Sequence, residues 1–285
     1  MKKILASRKD YSYTIDSRQD CDNRMKYILT IAGSDSCGGA GIQADIKTIT
    51  ALGAHAMTAI TAITAQNSIG VSGVYEVPVE SVSMQIEAVV EDILPDSTKV
   101  GMLSSARVID TVAKAIMKYR LKNIVVDTVM KSSTGHDLTA PGAVALMKDF
   151  LLPLADVITP NIREAEILSG RRVTNQTEME KAARELNWLG PAVVITGGHL
   201  EGSCTDILYD GRDFHHFPGE RIETENTHGT GCVFSASLAC FLARGKNIVE
   251  ATGLAHEFTR RAIENSYLCG RGAGAVSPFQ GRDQR

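Results

Sequence analysis

Short runs of β-branched residues alternate with amphipathic stretches from Tyr27 onward. The runs have the length and composition of buried strands, and apolar residues in the stretches between them recur at helical spacing. This order predicts an α/β domain whose central, mostly parallel sheet is flanked by helices on both faces. The predicted strands are 28–32, 57–65, 99–103, 123–127, 157–159 and 192–196, and the predicted helices are 41–52, 80–94, 105–119, 141–152, 162–169, 177–189 and two that begin at Val233 and Ile248.

Residues 205–217 interrupt this alternation. Two apolar runs there, 207–209 and 214–217, are separated by Asp210 and Gly211, a dipeptide typical of hairpin turns. The segment therefore predicts a small β-hairpin excursion from the parallel sheet. Residues 1–25 show no apolar periodicity, and we interpret them as a flexible extension before a single domain, 26–285.

The composition excludes several classes of protein. Hydrophobic residues make up 44% of the 285 residues and charged residues 22%, as in an ordinary soluble protein. A formal net charge of -3 gives no global attraction to nucleic acid or to an anionic membrane. The six cysteines include no C-x-x-C pair, and no apolar run approaches the roughly 18 residues of a membrane span. We therefore expect a cytoplasmic protein with a small-molecule partner.

The segment Gly229–Cys232 has the strongest chemical signal. Two glycines precede a long apolar stretch that predicts a buried helix, so the first N–H groups of that helix would be open to a phosphate oxygen. Cys232 would lie in the first turn, where the helix dipole favours the thiolate. The alternative is a glycine turn before a core helix, with Cys232 as a small buried apolar residue.

A second glycine motif, Gly39-Ala40-Gly41, satisfies the dinucleotide-binding pattern G-x-G-x-x-A. The loop that begins at Gly33 is long for that turn, however, and the next strand ends near Gln66, where an acidic residue would bind a ribose. No P-loop motif occurs anywhere in the chain.

Carboxylates mark other strand and helix ends. Asn161 and Glu164 could hold a hydrated Mg²⁺ ion, or they could simply cap a helix. Asp127 ends a strand, where a metal or catalytic role and a turn role are both open. Asp45 follows the early glycines on what we interpret as the polar side of its helix, where it could contact a ligand. Trp188 has the spacing of a core residue.

Eight motifs occur in order at 32–35, 38–48, 65–67, 99–103, 126–130, 159–166, 197–199 and 227–232. Together they closely resemble the hydroxymethylpyrimidine/phosphomethylpyrimidine kinases of thiamine biosynthesis, which belong to the ribokinase-like superfamily. The resemblance covers Tyr27 to about Phe279. It implies a homodimer that uses ATP and Mg²⁺ to phosphorylate 4-amino-5-hydroxymethyl-2-methylpyrimidine and then its monophosphate.

The resemblance also implies roles for particular residues. Cys232 would be the catalytic base, and the amides from Gly229 through Thr230 and Gly231 to Cys232 would form an anion hole. The remaining expectations concern two sets of side chains. The pyrimidine pocket would comprise Gln66, Asp45, Gly33 and Met102; the nucleotide and metal side would comprise Asn161, Glu164, Thr196 and Gly198, with Asp127 as a further metal ligand.

Two departures and two alternatives accompany this resemblance. Thr128 stands where the family frequently has proline, and Thr196 stands where it frequently has lysine. A pyridoxal kinase of the same fold is the nearest alternative, although an apolar residue tends to replace Gln66 there. The other alternative is a sensor that binds the pyrimidine without phosphorylating it.

Overall fold

The computed structural model describes residues 24–132, 135–140, 142–198 and 204–279. Within these ranges the strands are β1 (Tyr27–Asp35), β2 (His55–Gln66), β3 (Val71–Glu76), β4 (Ser97–Val100), β5 (Ile124–Val126), β6 (Val157–Ile158), β7 (Ala192–Ile195), β8 (Asp206–Tyr209) and β9 (Phe214–Phe217). The α-helices are α1 (Gly41–Ala51), α2 (Val79–Val90), α3 (Ala106–Tyr119), α4 (Ala143–Leu146), α5 (Ile162–Ser169), α6 (Gln176–Asn187), α7 (Thr230–Ala243) and α8 (Ile248–Glu264).

The described strands form one sheet in the order β3-β2-β1-β4-β5-β6-β7-β8-β9. The pairs from β2 to β7 are all parallel, whereas β3 and the β8-β9 hairpin pair antiparallel at the two edges. The predicted mostly parallel sheet and the hairpin excursion are both confirmed. Because the central strands run in one direction, their carboxyl ends lie along the same edge of the sheet.

Alternate residues of each central strand face two separate apolar layers. Leu29 and Ile31 of β1 pack into the layer that contains α2, α3, α5 and α6, and Ile28 packs into the layer that contains α1, α7 and α8. Helix α7 is apolar on nearly all sides because it lies between the sheet and neighbouring helices, and most of its residues are buried. This burial anchors the helix whose first turn carries Cys232.

Several local predictions differ from the structure. The helix predicted at 141–152 is α-helical only in α4, which a π-helix (Met147–Leu151) and a 3-10 turn (Leu152–Leu154) follow. Strand β3 was not predicted, because its exposed edge position leaves the segment without a buried apolar face. Strand β4 begins and ends earlier than the predicted 99–103. The core position predicted for Trp188 is wrong: the side chain is 88% exposed, since α6 ends at Asn187 and Trp188 is its C-cap residue.

Most of the predicted extension, residues 1–23, lies outside the described residues, so its character stays a prediction. None of the helices in the described ranges combines the length and apolar character needed to cross a membrane.

Candidate active site

The carboxyl ends of the parallel strands bring most of the predicted site residues to one edge of the sheet. Gln66 ends β2, Asp127 follows β5, and Thr196 follows β7. The first turn of α7 faces the same edge, because a side chain built on Gly231 would place its Cβ 3.9 Å from both carboxylate oxygens of Asp127. The structure therefore joins the predicted anion hole to the strand ends, where open α/β sheets bind ligands.

The first turn of α7 leaves backbone donors open. Gly229 is the N-cap residue at φ 88°, and no side chain caps the helix. The N–H of Thr230 donates to the carbonyl of Thr227 at 3.2 Å, but the N–H groups of Gly231 and Cys232 have no acceptor in the described part of the chain. Two adjacent open amides at a helix start can bind an anion, and their role as the anion hole stays a prediction.

Position 229 requires glycine for two reasons, its backbone conformation and the closeness of Gly39. Its φ lies in the left-handed region, and a Cβ there would lie 1.9 Å from the carbonyl oxygen of Gly39. We expect Gly229→Ala to lose about 1–2 kcal/mol in unfolding free energy from the left-handed φ alone, with a further loss from the clash. Phosphorylation should also be lost because the clash displaces the open amides; urea unfolding and a kinase assay measure the two effects.

Gly245 provides the matched control at the other end of α7. It also has a positive φ, 78°, but a Cβ added there would meet no other atom within 4 Å. Gly245→Ala should therefore lose stability from strain alone and keep its activity. Equal activity in the two variants would show that the Gly229 turn has no role in phosphoryl transfer.

Cys232 is a thiol, not a thiolate, in the free protein. Burial raises its pKa to about 12; the charge of Lys99 and the N–H of Gly41 oppose this, and the carboxylates of Asp127 and Asp45 reinforce it. The prediction that the helix start favours the thiolate is therefore wrong for the unliganded state. Desolvation and the two nearby negative charges outweigh the positive charge of Lys99 and the N–H of Gly41.

Lys99 is a residue that the sequence reasoning missed. Its side chain is fully buried, and its ammonium lies 3.0 Å from both carboxylate oxygens of Asp45 and 3.8 Å from Oδ2 of Asp127. The two carboxylates raise the pKa of Lys99 although burial opposes this, so the lysine is charged. It therefore supplies the positive charge beneath the candidate site. A lysine in a strand that is otherwise buried was the available sequence signal.

Asp45 faces the interior, so its assignment to the polar side of α1 is wrong. The side chain is fully buried, and it accepts a 2.6 Å hydrogen bond from Thr30 Oγ1 in addition to the two contacts from Lys99. A charged carboxylate tolerates such burial only when it is paired. A direct contact between Asp45 and the substrate stays a prediction.

The other residues predicted for the pyrimidine pocket lie near one another. A β-bulge separates Ala32 from Ser34 at the end of β1, and a Cβ on the intervening Gly33 would lie 2.9 Å from Sδ of Met102. Gln66 is tied to the same strand end, because Ser36 Oγ donates to its carbonyl and accepts from its N–H.

The Gly39–Gly41 motif does not present open amides as a dinucleotide fold requires. Asp35 accepts hydrogen bonds from the N–H groups of Cys37, Gly39 and Ala40 at 2.8 to 3.0 Å. The same carboxylate lies 2.9 Å from Nε2 of His228. The early glycine loop is thus closed onto Asp35 and joined to the residue before the Gly229 turn. Sequence reasoning assigned no role to Asp35 or His228.

Asn161 and Glu164 form a helix capping box. The Asn161 side chain accepts from the N–H of Glu164 at 3.0 Å, and Glu164 Oε2 accepts from the N–H of Asn161 at 3.1 Å and from Thr128 Oγ1 at 3.0 Å. Burial and the neighbouring Asp127 raise the pKa of Glu164 to about 7. The capping interpretation is confirmed, and it also places two carboxylates close enough to interact.

The nucleotide-side residues are only partly described. Thr196 forms an isolated parallel bridge with Asn161, and Gly198 is exposed just before residues 199–203, which lie outside the described ranges. Between them, the N–H of Gly197 donates to Asp206 Oδ1 at 2.8 Å. The structure therefore brings Thr196 to the capping box, whereas binding of a nucleotide by Thr196 and Gly198 stays a prediction.

The family model for phosphomethylpyrimidine kinase matches residues 35–277. A hydroxymethylpyrimidine/phosphomethylpyrimidine kinase of Bacillus subtilis is 45% identical over 254 residues, which cover 88% of this chain and 94% of that protein. A thiamine biosynthesis bifunctional protein of Geobacter sulfurreducens is 47% identical over 252 residues, and the match spans 88% of this chain but only 51% of that protein.

The fold has counterparts among solved structures. The ADP complex of a Bacillus subtilis pyridoxal kinase superposes with a TM-score of 0.84 at 38% identity, covering 89% of this chain and 97% of that chain. The architecture is therefore the ribokinase-like α/β fold predicted from the sequence. On the extent of the family match and the identity to these relatives, the chain belongs to the phosphomethylpyrimidine kinase family.

Proposed function

We propose that this kinase transfers the γ-phosphoryl group of ATP to 4-amino-5-hydroxymethyl-2-methylpyrimidine and then to the resulting monophosphate. The observation that carries the proposal is the arrangement at the sheet edge. The open N–H groups of Gly231 and Cys232, the sulfur of Cys232 and the carboxylate of Asp127 lie together there. Gln66 provides an amide that can both donate to and accept from an aminopyrimidine edge.

Phosphoryl transfer depends mainly on positioning and on stabilisation of negative charge. The two open amides would bind oxygens of the transferred group, and the buried helix α7 would hold these amides in place. Cys232, in the fraction that has lost its own proton, would take up the proton of the substrate hydroxyl. In the second step the acceptor is already an ionised phosphate, so we expect a weaker dependence on Cys232.

The residues present fit a Mg²⁺ ion. Mg²⁺ binds through one or two carboxylates together with waters and substrate phosphates, and Glu164 and Asp127 are two such carboxylates. The pKa of Glu164 is raised to about 7, so the side chain is partly protonated near neutrality. A cation bound beside it would lower this pKa and favour the carboxylate. When bound, the ion would neutralise charge on the ATP phosphates. This neutralisation matters here because Thr196 stands where the family frequently has a lysine, which would otherwise supply positive charge.

Pyridoxal is the competing substrate, favoured by the likeness to a pyridoxal kinase. We expect the purified protein to turn over the hydroxymethylpyrimidine faster than pyridoxal when both are offered with Mg-ATP. Faster turnover of pyridoxal would reverse the choice of substrate. Tight binding of the pyrimidine without any turnover would instead support a sensor.

We also propose that the protein acts as a homodimer in the cytoplasm, as the family resemblance implies. Light scattering coupled to size-exclusion chromatography measures the mass in solution. A mass close to the 30.7 kDa of one chain would contradict the dimer.

A further inference from the structure

The side-chain amide of Gln66 has two polar neighbours. Its Oε1 lies 3.2 Å from Thr64 Oγ1, and its Nε2 lies 3.4 Å from His228 Nε2. Each neighbour has a shorter contact of its own. Thr64 Oγ1 is 2.9 Å from the carbonyl of Ser34, and His228 Nε2 is 2.9 Å from Asp35 Oδ2.

The contact with Asp35 determines the proton position on His228. Burial would raise the pKa of Asp35, but hydrogen bonds from His228 and from the N–H groups of Ala40 and Cys37 hold it below its usual value. An ionised carboxylate only accepts, so His228 Nε2 must carry the proton. The part of Gln66 that faces this N–H must therefore be an acceptor, which is the amide oxygen.

The hydroxyl of Thr64 determines which end of the Gln66 amide must face it. It has one proton, and the carbonyl of Ser34 can only accept, so that proton belongs to the 2.9 Å contact. Toward Gln66, Thr64 Oγ1 is then an acceptor and requires the amide NH₂. The two ends of a glutamine amide have nearly the same shape, so a half-turn about its last torsion satisfies both neighbours.

We propose that Thr64 and His228 are specificity-determining positioning residues, which hold the Gln66 amide with its oxygen toward His228 and its nitrogen toward Thr64. This inference rests on the proposed function, because it concerns how Gln66 would recognise the pyrimidine. It adds that the donor and acceptor of Gln66 are not interchangeable when the substrate arrives.

The held orientation leaves one lone pair and one N–H of Gln66 for the substrate. The oxygen can accept from the 4-amino group while the nitrogen donates to ring N3, so the amino group lies on the His228 side. The hydroxymethyl group is on the ring carbon next to the one that carries the amino group. It therefore points toward the turn that begins at Gly229, where the phosphoryl group would be held.

A ligand-free experiment tests the orientation itself. In protein labelled with ¹⁵N-glutamine, the Gln66 side-chain signal is assigned by its loss in Gln66→Glu. Its amide protons should show nuclear Overhauser effects to Thr64 side-chain protons that are stronger than those to His228 ring protons. The reverse ranking would overturn the inference and leave the proposed function untouched.

A binding experiment tests the consequence for specificity. The probes are the 4-amino substrate and its 4-oxo analogue, which presents an oxygen and an N–H where the substrate presents an amino group and N3. We expect calorimetry without ATP to show that the wild type prefers the amino compound by about a hundredfold, as two mismatched hydrogen bonds require.

Variants then separate positioning from folding. Thr64→Val and His228→Leu free the amide to turn, so the amino-over-oxo preference should fall about tenfold or more. His228→Gln keeps an N–H donor toward Asp35 and should retain the wild-type preference. A general loss of structure would weaken both ligands together and leave their ratio unchanged. An unchanged ratio in both releasing variants would overturn the inference, and a wild type that binds neither compound would overturn the proposed function.

Discussion

Cys232→Ala should slow the first phosphorylation by about 10²- to 10⁴-fold, the usual contribution of a general base. The second phosphorylation should fall by a smaller factor because its acceptor needs no base, and binding of the pyrimidine should stay nearly unchanged. Steady-state assays with the alcohol and the monophosphate as separate substrates, at saturating Mg-ATP, measure the two effects. If Cys232→Ala catalysed the first phosphorylation at the wild-type rate, Cys232 would not be the base.

Cys240 provides a matched control on the same helix. Like Cys232 it is a thiol whose pKa burial raises to about 12, but its side chain lies in the apolar layer of α7 and α8. Cys240→Ala should lower stability slightly through a small cavity and leave both phosphorylation rates near wild type. Equal kinetic defects in the two variants would indicate damage to α7 rather than loss of a base.

The high pKa of Cys232 also predicts the pH dependence of the first step. A base acts in its unprotonated form, and a pKa of about 12 means that only a small, pH-dependent fraction is unprotonated near neutrality. The kcat/KM of the first phosphorylation should therefore rise with pH through the neutral and mildly alkaline range. A plateau already reached at pH 7 would contradict the burial effect.

Sequence patterns predicted the elements whose positions depend on local periodicity. The parallel strands, the hairpin around Asp210 and Gly211, and the apolar helix after Cys232 all follow from spacing and turn chemistry, and the structure confirms them. The strand ends could be predicted to meet because parallel strands share one carboxyl edge. The assignment of the anion hole and Gln66 to one site came instead from the resemblance to the kinase family.

What the sequence could not predict depends on contacts between residues far apart in the chain. The ionisation of Cys232 depends on burial and on Asp45, Lys99 and Asp127, which come from different elements. The orientation of Gln66 depends on His228, 162 positions away. Helical spacing alone predicts a polar face for Asp45, because a buried lysine on a distant strand, Lys99 of β4, leaves no sign in that spacing.

Lys99→Met should lower the free energy of unfolding by about 3–5 kcal/mol, the cost of removing one partner from a buried ion pair. Asp45 is fully buried and would lose both of its contacts with the ammonium. Methionine has a similar length, so the packing around the strand changes little. Urea unfolding at several pH values measures the loss.

The direction in which the unfolding free energy of Lys99→Met changes with pH shows whether the lost charge causes the lost stability. Burial already raises the pKa of Asp45, and Lys99 is the largest factor opposing that rise. Without the lysine the folded-state pKa climbs further above the unfolded value of about 3.9, so the folded variant binds a proton that the unfolded chain releases. The variant should therefore be most impaired at pH 8 and recover as the pH falls toward 5.

The double variant Asp45→Asn/Lys99→Met is the matched control, because it replaces the ion pair with two neutral side chains of similar size. Neutral replacement of a buried pair is often tolerated, so most of the lost stability should return, and the pH dependence of the loss should shrink. A loss that is the same at pH 5 and pH 8, and that persists in the double variant, would mean that Lys99 contributes through packing and not through its charge. The expected recovery would instead establish Lys99 as the cation that permits carboxylates beneath the anion hole.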